Sequence, residues 1–123
     1  MNTVALSKYF ETAAQQPAEL GHLDCVRFVV EAMNVGWGRD YRHVLGYSDR
    51  RSAVKRLRAA GGLQEAFIAE LGEPVAASDL STGDIAWFSD PAVGLVLTNC
   101  IVVKVRKTIL RLPLDSANIG WKF

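Results

Sequence analysis

Asp24-Cys25 opens an apolar run that reads as a helix, and it is the pair in this chain best placed for covalent chemistry. Asp is a good N-cap, because its carboxylate accepts hydrogen bonds from the free amides of the first turn. A cysteine beside that cap sits at the positive end of the helix dipole, which favours the thiolate. The backbone N–H groups there can also hold an oxyanion. The chemistry would be attack of sulfur on an acyl carbon, and such a thiol works with a histidine base. The chain has two histidines, His22 three residues before Cys25 and His43 in a stretch without regular pattern. Neither lies in the later, strand-rich half. The competing reading of Cys25 is a small buried hydrophobe on one stripe with Phe28, Val29 and Met33. Cys100, between Asn99 and Ile101, reads as structural.

Other chemistry finds less support. No His, Cys and Asp group has ligand spacing, so no metal is expected. Gly36-Trp37-Gly38 lacks the strand and third glycine of a dinucleotide fingerprint, so no cofactor is expected. Arg50, Arg51, Lys55, Arg56 and Arg58 form a basic set that reads as one solvated helix face or as a surface for an acidic partner. No aromatic residues interleave with it, which argues against a single-stranded nucleic acid groove. Trp37, Tyr41 and Tyr47, set among glycine and charged residues, are candidates for a contact surface with Arg42, Arg51 and Lys55, since interface centres favour aromatic and arginine side chains. Trp87 reads as core. Trp121 either packs back on the domain or belongs to a docking tail.

The elements that must position these residues follow from pattern. Leu6, Tyr9, Phe10 and Ala13 keep helical spacing over Thr3–Gln16, closed by Pro17. A second helix runs from Cys25 to about Asn34, with Arg27 and Glu31 opposite its apolar face, and Gly36 to Gly38 end it. Ser48 is expected to cap a third helix whose buried stripe is Ala53, Val54, Leu57 and Ala60, stopped by Gly61-Gly62. A fourth covers Leu63–Leu71. After Ser81-Thr82-Gly83-Asp84 the texture changes to strands at Ile85–Phe88, Val93–Leu97, Ile101–Arg106 and Ile109–Leu112. Asp90-Pro91 marks a turn. Val103 and Val105 alternate with Lys104 and Arg106, which predicts one wet face. Short connections predict an antiparallel meander. Helices first and strands afterwards give an α+β domain, with N-terminal helices packed on a C-terminal antiparallel sheet of about four strands.

The totals bound the rest. A chain of 123 residues, half of them apolar and 22% charged, is read as one domain over residues 1–123. A net charge of +1 predicts no broad attraction to nucleic acid or anionic lipid. Two cysteines make no disulfide framework, which favours synthesis in a reducing compartment. No signal peptide is expected at Met1-Asn2-Thr3-Val4, and no membrane span anywhere.

The order of these motifs resembles the papain-like NlpC-type cell-wall peptidases. Asp24-Cys25-Val26-Arg27-Phe28 resembles their Asp-Cys-x-x-Phe helix start. Gly83-Asp84-Ile85-Ala86-Trp87-Phe88 resembles their Gly-Asp strand, and Ala92-Val93-Gly94-Leu95-Val96 is similar to their second strand, which begins His-Val-Gly. The chain looks more like small phage and prophage proteins related to that superfamily, which share the Asp-Cys helix, the Gly-Gly-Leu after the next helix (here Gly61-Gly62-Leu63) and a Trp near the C-terminus. The likeness covers residues 5 to 123. It implies a papain-like fold and places Ala92 where the peptidases carry their base. The third polar group of their triad would fall on the strand holding Lys104 and Arg106, and a cation cannot orient an imidazolium as an acceptor does.

Two expectations result. The first is a non-catalytic structural component of a phage or prophage tail, built on a degenerate peptidase scaffold. Its partners would be other tail proteins or further copies of itself, and its place the virion tail after synthesis in the bacterial host. The second is a peptidoglycan-peptide hydrolase with Cys25 as nucleophile and His22 or His43 as base.

Overall fold

A computed structural model describes residues 1–19, 24–41, 49–89 and 92–123. Among the described residues four α-helices come first: α1 (Thr3–Ala14), α2 (Cys25–Trp37), α3 (Arg50–Ala60) and α4 (Leu63–Leu71). Local chemistry sets their ends. Asn2 caps α1 by accepting from the Ala5 amide, and Asp24 caps α2 by accepting from the Arg27 amide at 2.8 Å. Asp49 and Ser52 form a reciprocal capping box on α3. The cap is therefore Asp49, whose carboxylate reaches the Ser52 amide at 2.8 Å; Ser48 lies outside the described residues. Gly38 ends α2 in the left-handed conformation. α2 runs three residues beyond the expected Asn34, since neither Val35 nor Gly36 breaks it.

Six strands follow: β1 (Val75–Ala76), β2 (Ile85–Phe88), β3 (Ala92–Val96), β4 (Ile101–Val105), β5 (Thr108–Leu112) and β6 (Ile119–Trp121). They form one antiparallel sheet in the order β1-β6-β2-β3-β4-β5. The expected meander is β2 to β5. Two strands more than the expected four are present, because β6 returns from the C-terminus and fits between β1 and β2. Two or three residues carry no readable alternation, so these strands are invisible in the pattern. At Gly120 a Cβ would fall 2.1 Å from the carbonyl oxygen of Ile85, so only glycine lets β6 lie there.

The main core lies between helices and sheet. Phe28, Val29, Val30 and Met33 of α2 pack on Ile85, Val93, Leu95 and Val102, with Phe67 of α4 and Trp121 at one end. The opposite sheet face is apolar as well. Ala86, Val96, Ile101 and Val103 pack there with Leu80 and Ala117, which flank two single-turn 3₁₀ helices, Ala77–Asp79 and Leu114–Ser116. β4 is thus covered on both faces. The expected wet face is overturned: Lys104 is 2% exposed, whereas Val105 at the strand end is 37% exposed. No helix among the described residues is long and apolar enough to cross a membrane.

Candidate functional site

Cys25 is the first residue of α2 and is half-buried where that helix meets β3. The backbone amides of Val93, Cys25 and Val26 each lower the pKa of its thiol. These donors favour the thiolate, as the helix-terminus argument anticipates. Burial opposes them and is the largest influence, and the adjacent Asp24 carboxylate opposes them too. The thiol pKa is therefore pushed up, not down. Burial thus favours the protonated thiol over the thiolate.

β3 decides which groups face that sulfur. Strand residues alternate between faces. Val93 and Leu95 belong to the helix-side core, whereas Ala92 packs against the cluster on the opposite face. Gly94 follows Ala92, since a Cβ there would press on Ile101 and Val103 of that same cluster. The position assigned to the base by resemblance thus has its Cβ on the side of the sheet away from the thiol. His22 and His43 lie outside the described residues, as do Arg42 and Tyr47.

Gly83-Asp84 has a structural role of its own. Asp84 is 2% exposed. Its carboxylate accepts from the Ser81 amide at 2.7 Å, from Lys122 Nζ at 3.1 Å and from the Phe123 amide at 2.9 Å. Gly83 has φ +96°, and a Cβ there would meet Trp37 and Arg39 at 3.0 Å. Arg39 donates to the Gly83 carbonyl at 3.2 Å and lies over the Trp37 ring, 5.8 Å from its centroid. Tyr41 meets Phe123 edge-on at 4.6 Å. Of the expected contact aromatics, Trp37 and Tyr41 are therefore partly buried and engaged within the domain, clamping the turn before β2 and the C-terminus. Trp121 packs back on the domain: its indole donates to the Gly72 carbonyl at 3.0 Å, and it is 2% exposed. The Arg39 contribution carried no sequence signal, because the Gly83 carbonyl it donates to lies 44 residues away.

A family model for a domain of unknown function, DUF6950, matches residues 2–123. The chain belongs to the DUF6950 family. No curated protein and no solved structure matches it.

The remaining site residues of this DUF6950 chain lie on α3. Arg51 and Lys55 are exposed there, with Arg50 and Arg58 on the same arc. A groove of about 630 Å³ lies over that arc; its described lining is Arg50, Arg51, Val54, Lys55 and Arg58. The structure thus separates the two groups of candidates. Cys25, Trp37 and Tyr41 are built into the core and its rim, whereas the α3 cations face outward. Among the described residues no cluster of His, Cys, Asp and Glu could hold a metal ion.

Proposed function

We propose that this DUF6950 domain is a non-catalytic assembly component of a phage or prophage tail, built on a degenerate cysteine-peptidase layout. The observation that carries the reading is the environment of Cys25. Its side chain packs against the helix-side core, and the strand residue in the base position, Ala92, packs on the other face of the sheet. A nucleophile needs an oriented base within hydrogen-bond reach. The described surroundings of this thiol are apolar side chains, backbone amides and the Asp24 carboxylate, and burial with that carboxylate disfavours the thiolate.

The Gly-Asp motif fits the same reading. In this chain Asp84 fastens the C-terminal strand and serves no thiol. The tail assignment and its partners, other tail proteins or further copies of the chain, rest on the likeness of the Asp-Cys helix, the Gly-Gly-Leu and the terminal Trp to small phage proteins. They are an inference by analogy.

The test is alkylation of Cys25 by iodoacetamide across pH, run beside a muropeptide digestion assay. The native thiol is expected to react at least about tenfold more slowly than the same thiol in denaturant at mildly alkaline pH, with no digestion. Fast alkylation near neutral pH, together with muropeptide cleavage that disappears in Cys25→Ser, establishes the hydrolase and sinks the assembly reading.

A further inference from the structure

α3 concentrates cations as no other described helix does. It carries five cations and no acid over Arg50–Ala60. Arg50 and Arg51 occupy its first two positions, at the positive end of the helix dipole, where acids are favoured. Arg51 and Lys55 stand at i, i+4, and Lys55 and Arg58 at i, i+3, spacings at which like charges repel. Arg56 alone is relieved, by Glu70 of α4 at 2.7 Å. Arg50, Arg51, Lys55 and Arg58 are exposed and form no ion pair with any described residue. The whole chain is nearly neutral at +1, so this uncompensated charge is concentrated on one helix.

The four cations also surround a surface of different character. They span one arc of α3 with Val54 between them, under the groove of about 630 Å³. Arg and Lys keep their charged ends in water while their methylene stems lie along apolar surface. On its described side the groove therefore has an apolar floor, Val54 and the methylene stems, and a cationic rim. A conflict between local preference and sequence is expected at functional sites, where another gain offsets the loss of helix stability.

We propose that this arc of α3 docks an acidic protein segment that presents an apolar side chain to Val54. The inference deepens the assembly reading and rests on it, naming the chemistry of the partner. Charge complementarity selects an acidic occupant, and the apolar floor selects among acidic occupants. A phosphate backbone would neutralise the rim and leave Val54 uncovered. The arc has no aromatic side chain for base stacking.

The test uses a labelled acidic peptide with two leucines at i, i+4, a control with both leucines changed to serine, and a DNA duplex of similar charge. The native chain is expected to bind the leucine peptide in a salt-sensitive manner, about tenfold or more tighter than the serine control and than the duplex. Arg51→Glu is the informative variant. It places an acid in the first turn and creates a Glu–Lys pair with Lys55, so thermal stability should rise while peptide affinity falls about tenfold or more. Val54→Ser should remove the preference for leucine over serine. Absent binding, equal binding of the two peptides, tighter binding of the duplex, or an Arg51→Glu protein that binds as before each overturn the proposal. Failure of the assembly reading has its own signature, muropeptide turnover dependent on Cys25, so the two outcomes are distinct.

Discussion

Lys104 has the least comfortable environment of any described side chain on the sheet. It is 2% exposed, and its Nζ has no hydrogen-bond partner. Burial pushes its pKa down. The linkage sign follows. The unfolded chain binds this proton up to its ordinary pKa of 10.5, whereas the folded chain releases it at lower pH. The folding penalty is full below the folded pKa and fades as pH rises toward 10.5. Lys104→Met, similar in length and without the charge, is therefore expected to stabilise the domain by about 1 kcal/mol near neutral pH. It should also lack the alkaline gain expected of the parent. Urea titrations of both proteins at neutral and alkaline pH measure this; a variant weaker than the parent would contradict it. Cys25 has the opposite sign. Its raised pKa means that the protonated thiol favours the folded state below 9.0 and loses that advantage as pH climbs past it. Tyr9 is held in the same sense, its phenol buried and donating to the Phe28 carbonyl at 3.1 Å.

At the scale of elements, the turn before β2 holds the sheet to the C-terminus through Asp84. Three donors converge on one buried carboxylate, and Lys122 also donates to the Asp79 carbonyl at 2.8 Å. Asp84→Ala leaves the Ser81 and Phe123 amides without their acceptor. The expected cost is about 2–4 kcal/mol, read as a lower denaturation midpoint with an unchanged slope. A cost within a few tenths would mean that water replaces the carboxylate. The Gly-Asp signature was legible in the sequence, but its purpose was not, because every partner except Ser81 is remote in the chain. The same division runs through the fold. The helices and the β2–β5 meander were legible because each has its own apolar rhythm and punctuation, as in Leu6, Tyr9, Phe10 and Ala13 or at Gly61-Gly62. β1 and β6 were not, since their existence depends on pairing between residues 75–76 and 119–120. Lys104 looked solvent-facing because alternation describes one strand, whereas its burial comes from layers on both sides of the sheet. For Cys25, helix-terminus electrostatics were readable, but the burial that outweighs them was not.

For the whole molecule, sheet order makes folding depend on residues that come late in the chain. β6 is the partner of both β1 and β2, in registers such as Val75↔Gly120 and Ile85↔Trp121. Trp121 also reaches across to α4, where its ring lies 5.1 Å from Phe67, and it meets Trp87 edge-on at 6.1 Å. One three-residue strand thus joins the helical layer, the sheet and the turn at Asp84. Removing residues 119–123 would leave β1 without a partner, expose the edge of β2 and open the core at Phe67 and Trp87. Loss of one large aromatic alone costs about 3–5 kcal/mol, comparable to the low end of a domain's total stability. The truncated chain is therefore expected to keep helical far-UV dichroism and lose the near-UV signal of its remaining tryptophans, with a broad thermal transition, as in a state whose packing has dissolved. The untruncated chain should melt in one cooperative step. A truncated chain that melts cooperatively with native near-UV dichroism would show that α2 and the β2–β5 meander form a sufficient core, and that the C-terminal strand only decorates it.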